Sequence, residues 1–499
     1  MSMPPEYDLL IVGGGIHGAG IARDAAGRGL RVALCEQGDF AGATSSASSK
    51  LIHGGLRYLE YGALRLVRDA LHEREVLLHI APHISRPLRF VLPHVAELRP
   101  AWMLRLGLLL YDHLSARVTL PASQRIDLRE SEYGAPLNAK LRKAFVYFDG
   151  WIDDARLVIL NLKSATQRSA HIFPRTRLLS ADATPSGWRA LLEKEGNGTI
   201  ELHARVVINA AGPWVDSIRL ALLPDAAPRT RLVQGSHIVL PALYAGDHAY
   251  VLQAADRRVV FLLPFGPAHT LVGTTDVATR SPLAPIEADA AEVQYLCAAT
   301  APFLRDPIAA DRVVHTFSGV RALHDDGHAN PSAVSRDYSL LLEQEPHAPM
   351  VSIIGGKLTT YRVLAEKALD ALRAYFPAMP AASWTGSEPL PGGCLPEGGL
   401  LALQSQLAAR YPKLPRVLLA ALSARHGTLA AEILGDVQQE TELGLRFSEE
   451  LYAREVDYFV AHEWATRADD VLWRRTKAGL NIDAQGIRAL DAYIRQRVG

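Results

Sequence analysis

Hydrophobic and polar positions change period several times along the chain. Residues 8–12 (DLLIV) form a short apolar run of buried-strand type. A glycine turn follows, then a helix from 18 to 27 and a second apolar run, RVALCE, ending in an acid. The same strand, turn and helix order returns at 204–220 (ARVVINAAGPWVDSIRL) and at 352–372 (SIIGGKLTTYRVLAEKALDAL). Between these returns, residues 230–345 are rich in strand-forming runs such as LVQGSHIVLP, RVVFLLPF and HTLVGTTD. Residues 64–80 have the helical period of a solvated amphipathic helix with no chemistry of its own. Residues 122–150 read as irregular, and 151–170 as a helix with Asp153 and Asp154 in its first turn. EPLPGGCLPEGG (388–399) is the clearest domain boundary, and 400–499 reads as helical throughout. The predicted fold class is α/β. A discontinuous Rossmann-like domain covers 1–80, 150–230 and 345–387. A β-sheet substrate or cap domain covers 81–149 and 231–344, and a helical domain covers 395–499.

The first turn carries Gly13, Gly15 and Gly18 in G-x-G-x-x-G spacing, with Gly14 as a fourth glycine. The first permits a tight turn, the second lets a pyrophosphate approach the backbone, and the third lets helix pack close to strand. The helix that follows turns its N-terminal amides and positive dipole end toward phosphates. Glu36, 18 residues after Gly18, ends the second strand, where a carboxylate can accept both hydroxyls of an adenosine ribose. The turn alone does not choose between FAD and NAD. Three returns of the chain to one ligand favour a bound flavin over a diffusible nicotinamide.

Other candidate residues lie in short motifs. Thr44, Ser45, Ser46, Ser48 and Ser49 are hydroxyl donors suited to a phosphate- or flavin-contacting loop. His53–Glu60 packs a histidine, two glycines, Arg57 and Tyr58 into eight residues, the density of a loop held close to a ligand. Ala210, Ala211 and Gly212 form a close turn that lets backbone sit against a cofactor. Gly355, Gly356 and Lys357 precede Thr359 and Thr360 at a helix start, which suits an anion such as a reduced flavin. Arg57, Arg321, Arg336 and Lys357 sit in glycine-flanked or strand-edge loops and together favour a phosphate or carboxylate clamp.

Composition narrows the partners. The 53 basic and 53 acidic residues balance, so no global field calls for nucleic acid. Three scattered cysteines, Cys35, Cys297 and Cys394, suit neither a metal cluster nor a disulfide framework, so no metal is expected and a reducing compartment is. The start, MSMPPEYDLL, lacks the pattern of a signal peptide, and no uninterrupted apolar run is long enough for a transmembrane helix. Residues 86–121 mix Arg86, Arg89, Arg99, Arg105 and Arg117 with Trp102, Met103 and the run 106–111. That composition suits either a surface helix dipping into a bilayer interface or a core helix with snorkelling arginines.

The chain resembles the aerobic, FAD-dependent glycerol-3-phosphate dehydrogenases, of the glutathione-reductase-like, D-amino-acid-oxidase-like superfamily. The matching stretches are VGGGIHGAGIARDAAGRGL, ATSSASSKLIHGGLRYLE, LRPAWMLRLGLLLYDHL, INAAGPWV, GSHIVLP, GTTD, FSGVRAL, GGKLTTYR and ADDVLWRRTKAGL. They span nearly the whole chain, and the second and eighth are far more specific than the glycine turn. The resemblance implies oxidation of sn-glycerol 3-phosphate to dihydroxyacetone phosphate, with FAD reduced and electrons passed to ubiquinone. It places Arg57, Tyr58, His237, Arg321, Arg336 and Lys357 near substrate. His237 is then the first candidate for catalytic base, with His53 second, and Arg321 would stabilise the developing alkoxide. FAD contacts are implied for Gly13, Gly14, Gly15, Gly18, Glu36, Thr44, Ser45, Ser49, His53, Gly54, Ala211, Gly212, Gly356, Leu358 and Thr359. Peripheral contact with the cytoplasmic face of the inner membrane is implied, a cytoplasmic location being the alternative. The helical end is left with either self-association, as a homodimer, or a membrane role. An oxidase passing electrons to O₂, an amino-acid oxidase and a non-enzymatic flavin-sensing protein are the rival readings.

Overall fold

The computed structural model describes residues 6–95, 97–115, 120–196, 198–223, 225–256, 258–281, 287–325, 337–344 and 348–498. Two large sheets and a helical domain meet around one cavity. The first sheet has parallel strands in the order Met350–Gly355, Thr199–Asn209, Tyr7–Val12, Val32–Cys35 and His171–Phe173. The three segments expected to return to one ligand therefore lie side by side, and their carboxyl ends share one edge. Ligands of open α/β sheets bind at that edge. Tyr338–Glu343 closes the far side in antiparallel pairing, and the hairpin of Thr176–Thr184 and Gly187–Lys194 extends Thr199–Asn209. Helices Ile16–Gly27, Asp154–Thr166 and Tyr361–Asp370 cover one face with a continuous apolar core.

The second sheet is mostly antiparallel. Its longest pairing joins Thr230–Pro241 to His315–His324 over ten positions. The register sets His237 opposite Phe317, Gly235 opposite Gly319 and Val233 opposite Arg321. Because side chains alternate with period two, His237 and Arg321 point to the same face, with two glycines between them. Glycines of this sheet leave the room that both side chains occupy. A Cβ on Gly235 would lie 2.3 Å from the Arg321 guanidinium, and one on Gly273 would lie 2.1 Å from the His237 ring.

Four local readings change. Residues 122–150 contain the strand Gln124–Asp127 and the long strand Lys143–Ile152, which pairs with Ser85–Pro93 along its length. Among the described residues of 86–121, Ala101–His113 is the helix; Arg86 and Arg89 lie on a strand, over Trp151 and Phe148, and Arg117 lies outside the described residues. Helix Leu64–Ile80 buries Glu73 and Arg74 in ion pairs with Arg362 and Asp149. The C-terminal domain is interrupted by a small hairpin, Arg446–Ser448 with Leu451–Tyr452. One helical stretch, Arg416–Leu434, is long and apolar enough to span a membrane. Half of it is buried in the C-terminal core, and Gly427, at φ +56°, breaks its course.

The C-terminal domain docks through buried charges rather than a loose linker. Glu463 accepts from Arg156 and lies 3.5 Å from Lys163, while Lys477 reaches Asp153 at 3.2 Å. The turn at 388–399 is fixed as well: Leu390 N donates to Ile80 O, and Thr428 N to Gly392 O.

Candidate active site

The glycine turn is held open by its own geometry. Gly13 has φ +113°, and a Cβ there would sit 2.5 Å from Ala210 O, so the first and second turns touch. A Cβ on Gly18 would sit 1.9 Å from Gly13 O, which explains the tight packing of helix on strand. The helix starts at Ile16, two residues earlier than the pattern suggests, and Ser45 Oγ accepts from Ile16 N at 2.9 Å. Glu36 accepts from Gly14 N at 2.7 Å and Gly38 N at 2.8 Å. Burial pushes its carboxyl upward, and the two amide donors oppose that push. An acceptor fixed by the turn itself, with lone pairs left over, suits the two hydroxyls of a ribose.

The turn opens into a cavity of about 1050 Å³. Its walls include Gly13, Gly15, Glu36, Thr44, Ser45, Ser49, His53, Arg57, Tyr58, Ala211, Gly212, His237, Arg321 and the run from Gly356 to Thr359. The candidates from four distant stretches thus converge on one space. Gly14, Gly18 and Gly54 stand behind the wall as supports. Arg336 lies outside the described residues.

Along the cavity wall the polar groups are tightly organised. Ser49 Oγ and His237 Nε2 are 2.8 Å apart, and the His237 ring stacks on Phe317 at 4.9 Å between centroids. Burial, with Lys50 and Arg321 nearby, holds His237 well below the ordinary histidine range, so it is a neutral imidazole. Arg321 pairs with Asp276 at 2.5 Å and donates to Thr274 Oγ1 at 3.4 Å. Lys357 Nζ sits 3.7 Å from the centre of the Tyr58 ring. His53 is pushed down to about 3 by burial and by Lys357, and its backbone N–H donates to Thr359 Oγ1 at 3.3 Å. A cluster of cations around a neutral histidine can hold an anionic substrate and still accept a proton.

Several supporting groups carry no local sequence signal. Lys50 and Asp154 form a buried ion pair at 2.9 Å; Ser48 donates to Asp154 at 2.7 Å, and Lys50 to Ser46 O at 3.0 Å. This network shapes the serine loop from beneath. Tyr111 Oη accepts from Gly54 N at 2.9 Å and donates to Asp149, which Arg74 also binds. Asp276 ends the GTTD stretch, but its partner Arg321 is 45 residues away. His17, in the glycine turn itself, lines the cavity beside Gly356, and burial pushes it down to about 4.

A parallel sheet with a glycine turn at its carboxyl edge, covered by a second sheet that brings cations, defines a dinucleotide-dependent oxidoreductase. The sequence pattern of the FAD-dependent oxidoreductases matches residues 8–362, and that of the C-terminal domain of alpha-glycerophosphate oxidase matches 383–496. A glycerol-3-phosphate dehydrogenase of Pseudomonas aeruginosa is 49% identical, covering 98% of this chain and 95% of that protein. The D-erythritol 1-phosphate dehydrogenase of Brucella abortus is 44% identical over 97% and 96% of the two chains. The aerobic glycerol-3-phosphate dehydrogenase of Escherichia coli is 43% identical over 98% of each. The solved glycerol-3-phosphate dehydrogenase of Bacillus halodurans, complexed with FAD, shares the fold at a TM-score of 0.76 and 24% identity, covering 98% of this chain and 90% of that one. The chain belongs to the FAD-dependent oxidoreductase family, in its glycerol-3-phosphate dehydrogenase group. FAD is its cofactor, and the residues present fit it: Glu36 for the ribose, the Gly13–Gly15 backbone for the pyrophosphate, and the Gly356–Thr359 turn, which meets His17 of the glycine turn.

Proposed function

We propose that the enzyme oxidises sn-glycerol 3-phosphate to dihydroxyacetone phosphate and passes the electrons to ubiquinone at a membrane surface. The observation that carries the substrate reading is that Arg57, Arg321, Lys357 and neutral His237 all line the FAD cavity. Arg57 and Lys357 hold the phosphate. Arg321, steadied by Asp276, faces the oxygen on C2 and favours negative charge as it develops there. His237 takes the hydroxyl proton, with Ser49 fixing the ring through Nε2. FAD, when bound, supplies the acceptor for the C2 hydride and the route to the next electron acceptor.

The acceptor reading rests on the helix Ala101–His113. It turns Trp102, 69% exposed, with Met103, Leu106, Leu109 and Leu110 outward, while Leu108 and Tyr111 face the core. Leu104 on the same helix, with Leu56, Leu66 and Leu92, lines the FAD cavity. An apolar face over an apolar arm of the cavity supports peripheral attachment to the cytoplasmic face of the inner membrane and delivery of quinone from the lipid. The Brucella relative supports a second substrate reading, a longer polyol phosphate such as D-erythritol 1-phosphate.

Turnover with each polyol phosphate, coupled to a quinone analogue in vesicles or to O₂, separates these readings. The expected result is preference for sn-glycerol 3-phosphate and for quinone. Faster turnover of D-erythritol 1-phosphate would move the substrate, and peroxide formation matching substrate loss without quinone would establish an oxidase.

A further inference from the structure

The stretch HEWATRADDVLWRRTKAGL, in the C-terminal domain, has no part in the proposed chemistry, yet it is wired to the cofactor site. Arg475, fully buried, binds both oxygens of Asp39 at 2.6 and 2.8 Å, and Arg474 Nε binds Asp39 as well. Asp39 is three residues after Glu36. The remaining donors of Arg475 go to Glu463 O at 3.1 and 2.6 Å, so its fork is anchored on its own domain. Trp464 meets Phe40 edge to face at 5.2 Å, and Phe40 in turn presses on Gly14, where a Cβ would lie 2.4 Å from its ring. A second tie runs beside it. Asp470 pairs with Arg175 at 2.7 Å and Arg474 at 2.6 Å, and Arg175 N donates to Gly38 O at 3.1 Å. Arg467, Asp470 and Arg474 themselves line the FAD cavity.

We propose that the C-terminal domain is a latch on the cofactor. Its segment 464–475 clamps the loop 36–42, and so sets how firmly Glu36 and the glycine turn hold the adenosine half of FAD. The physical argument is one of preorganisation. Glu36 accepts from amides on both sides, so its aim depends on the path of residues 37–40. That path has three outside fixings: the bidentate Asp39 pair, the Phe40 ring edge and Gly38 O. All three trace to, or are braced by, the C-terminal domain. Loosening them gives the loop alternative positions and raises the dissociation rate of the ligand it encloses.

Asp39→Asn keeps the shape of the side chain and removes its charge. FAD release from the holoenzyme after dilution, read as free-flavin fluorescence, is expected to accelerate at least tenfold. On heating, flavin should appear at a lower temperature than the protein unfolds by tryptophan emission. Glu455→Gln is the comparison. Glu455 pairs with Arg425 and His426 at 2.9 Å inside the same domain. It should lower the unfolding temperature with flavin release tracking unfolding. Trp464→Leu, which leaves every ion pair intact, replaces Asp39→Asn if the latter does not fold, with the same expected separation. Release at the wild-type rate, or release that coincides with unfolding in both latch variants, would overturn the proposal.

Discussion

His237 is the residue on which the chemistry turns. A base must be unprotonated at working pH, and burial beside Lys50 and Arg321 keeps this imidazole neutral. A general base contributes on the order of 10²–10⁴ in rate. Replacing His237 with Ala is therefore expected to slow flavin reduction by at least about 100-fold in stopped flow, with a smaller change in the apparent substrate constant. Reduction at the wild-type rate would remove His237 from the role. This residue was legible through the resemblance, which marks the histidine of GSHIV. Its setting was not. The partners come from two other segments, Ser49 with Lys50 beside it and Phe317, and only the tertiary fold and strand register bring them to it. The pairings of Asp39, Asp276 and Asp154 stayed hidden for the same reason, since each answers a cation far away in the chain.

At the scale of elements, the glycine turn, its helix and the three parallel returns could be read from the chain, because strand, turn and helix leave local marks. The strand Lys143–Ile152 could not, because its Phe-Asp-Gly sequence reads as a turn while the pairing with Ser85–Pro93 overrides it. The helix Ala101–His113 carries two faces with two tasks. Its inner face lends Tyr111 to the loop at Gly54, and its outer face leaves Trp102 and Leu106 exposed. Transfer of such side chains from water to an apolar phase is worth about 1.5–3 kcal/mol each. Trp102→Glu combined with Leu106→Glu should lower binding to anionic vesicles about 100-fold or more by sedimentation. Rapid flavin reduction by substrate in solution should be retained. Undiminished vesicle binding would place the membrane contact on another element.

The whole molecule is one unit in which the C-terminal domain is fastened to the nucleotide sheet by buried charges. That arrangement has a pH signature. His17 is held near about 4, and His53 and His83 near about 3, all by burial. In the unfolded chain they take up protons at about 6.5. Between those values the unfolded state binds more protons, so stability is complete above about pH 6.5 and falls as pH drops, by roughly 2 kcal/mol per histidine at pH 5. Glu463, held at about 2 chiefly by Arg156 against its burial, keeps its full contribution until pH falls below about 4.5. The holoenzyme's melting temperature should therefore drop between pH 7 and pH 5, and His83→Gln should flatten that slope. A melting temperature that is constant or rises toward pH 5 would contradict the buried neutral histidines.

The substrate assignment ties these scales together, and one experiment reaches it directly. The FAD-loaded enzyme is mixed anaerobically with sn-glycerol 3-phosphate, and the flavin absorbance is followed before any acceptor is added. The expected result is rapid bleaching of the oxidised flavin band with one dihydroxyacetone phosphate formed per flavin, reversed on adding a quinone analogue. A flavin band that stays oxidised in saturating sn-glycerol 3-phosphate would contradict the account.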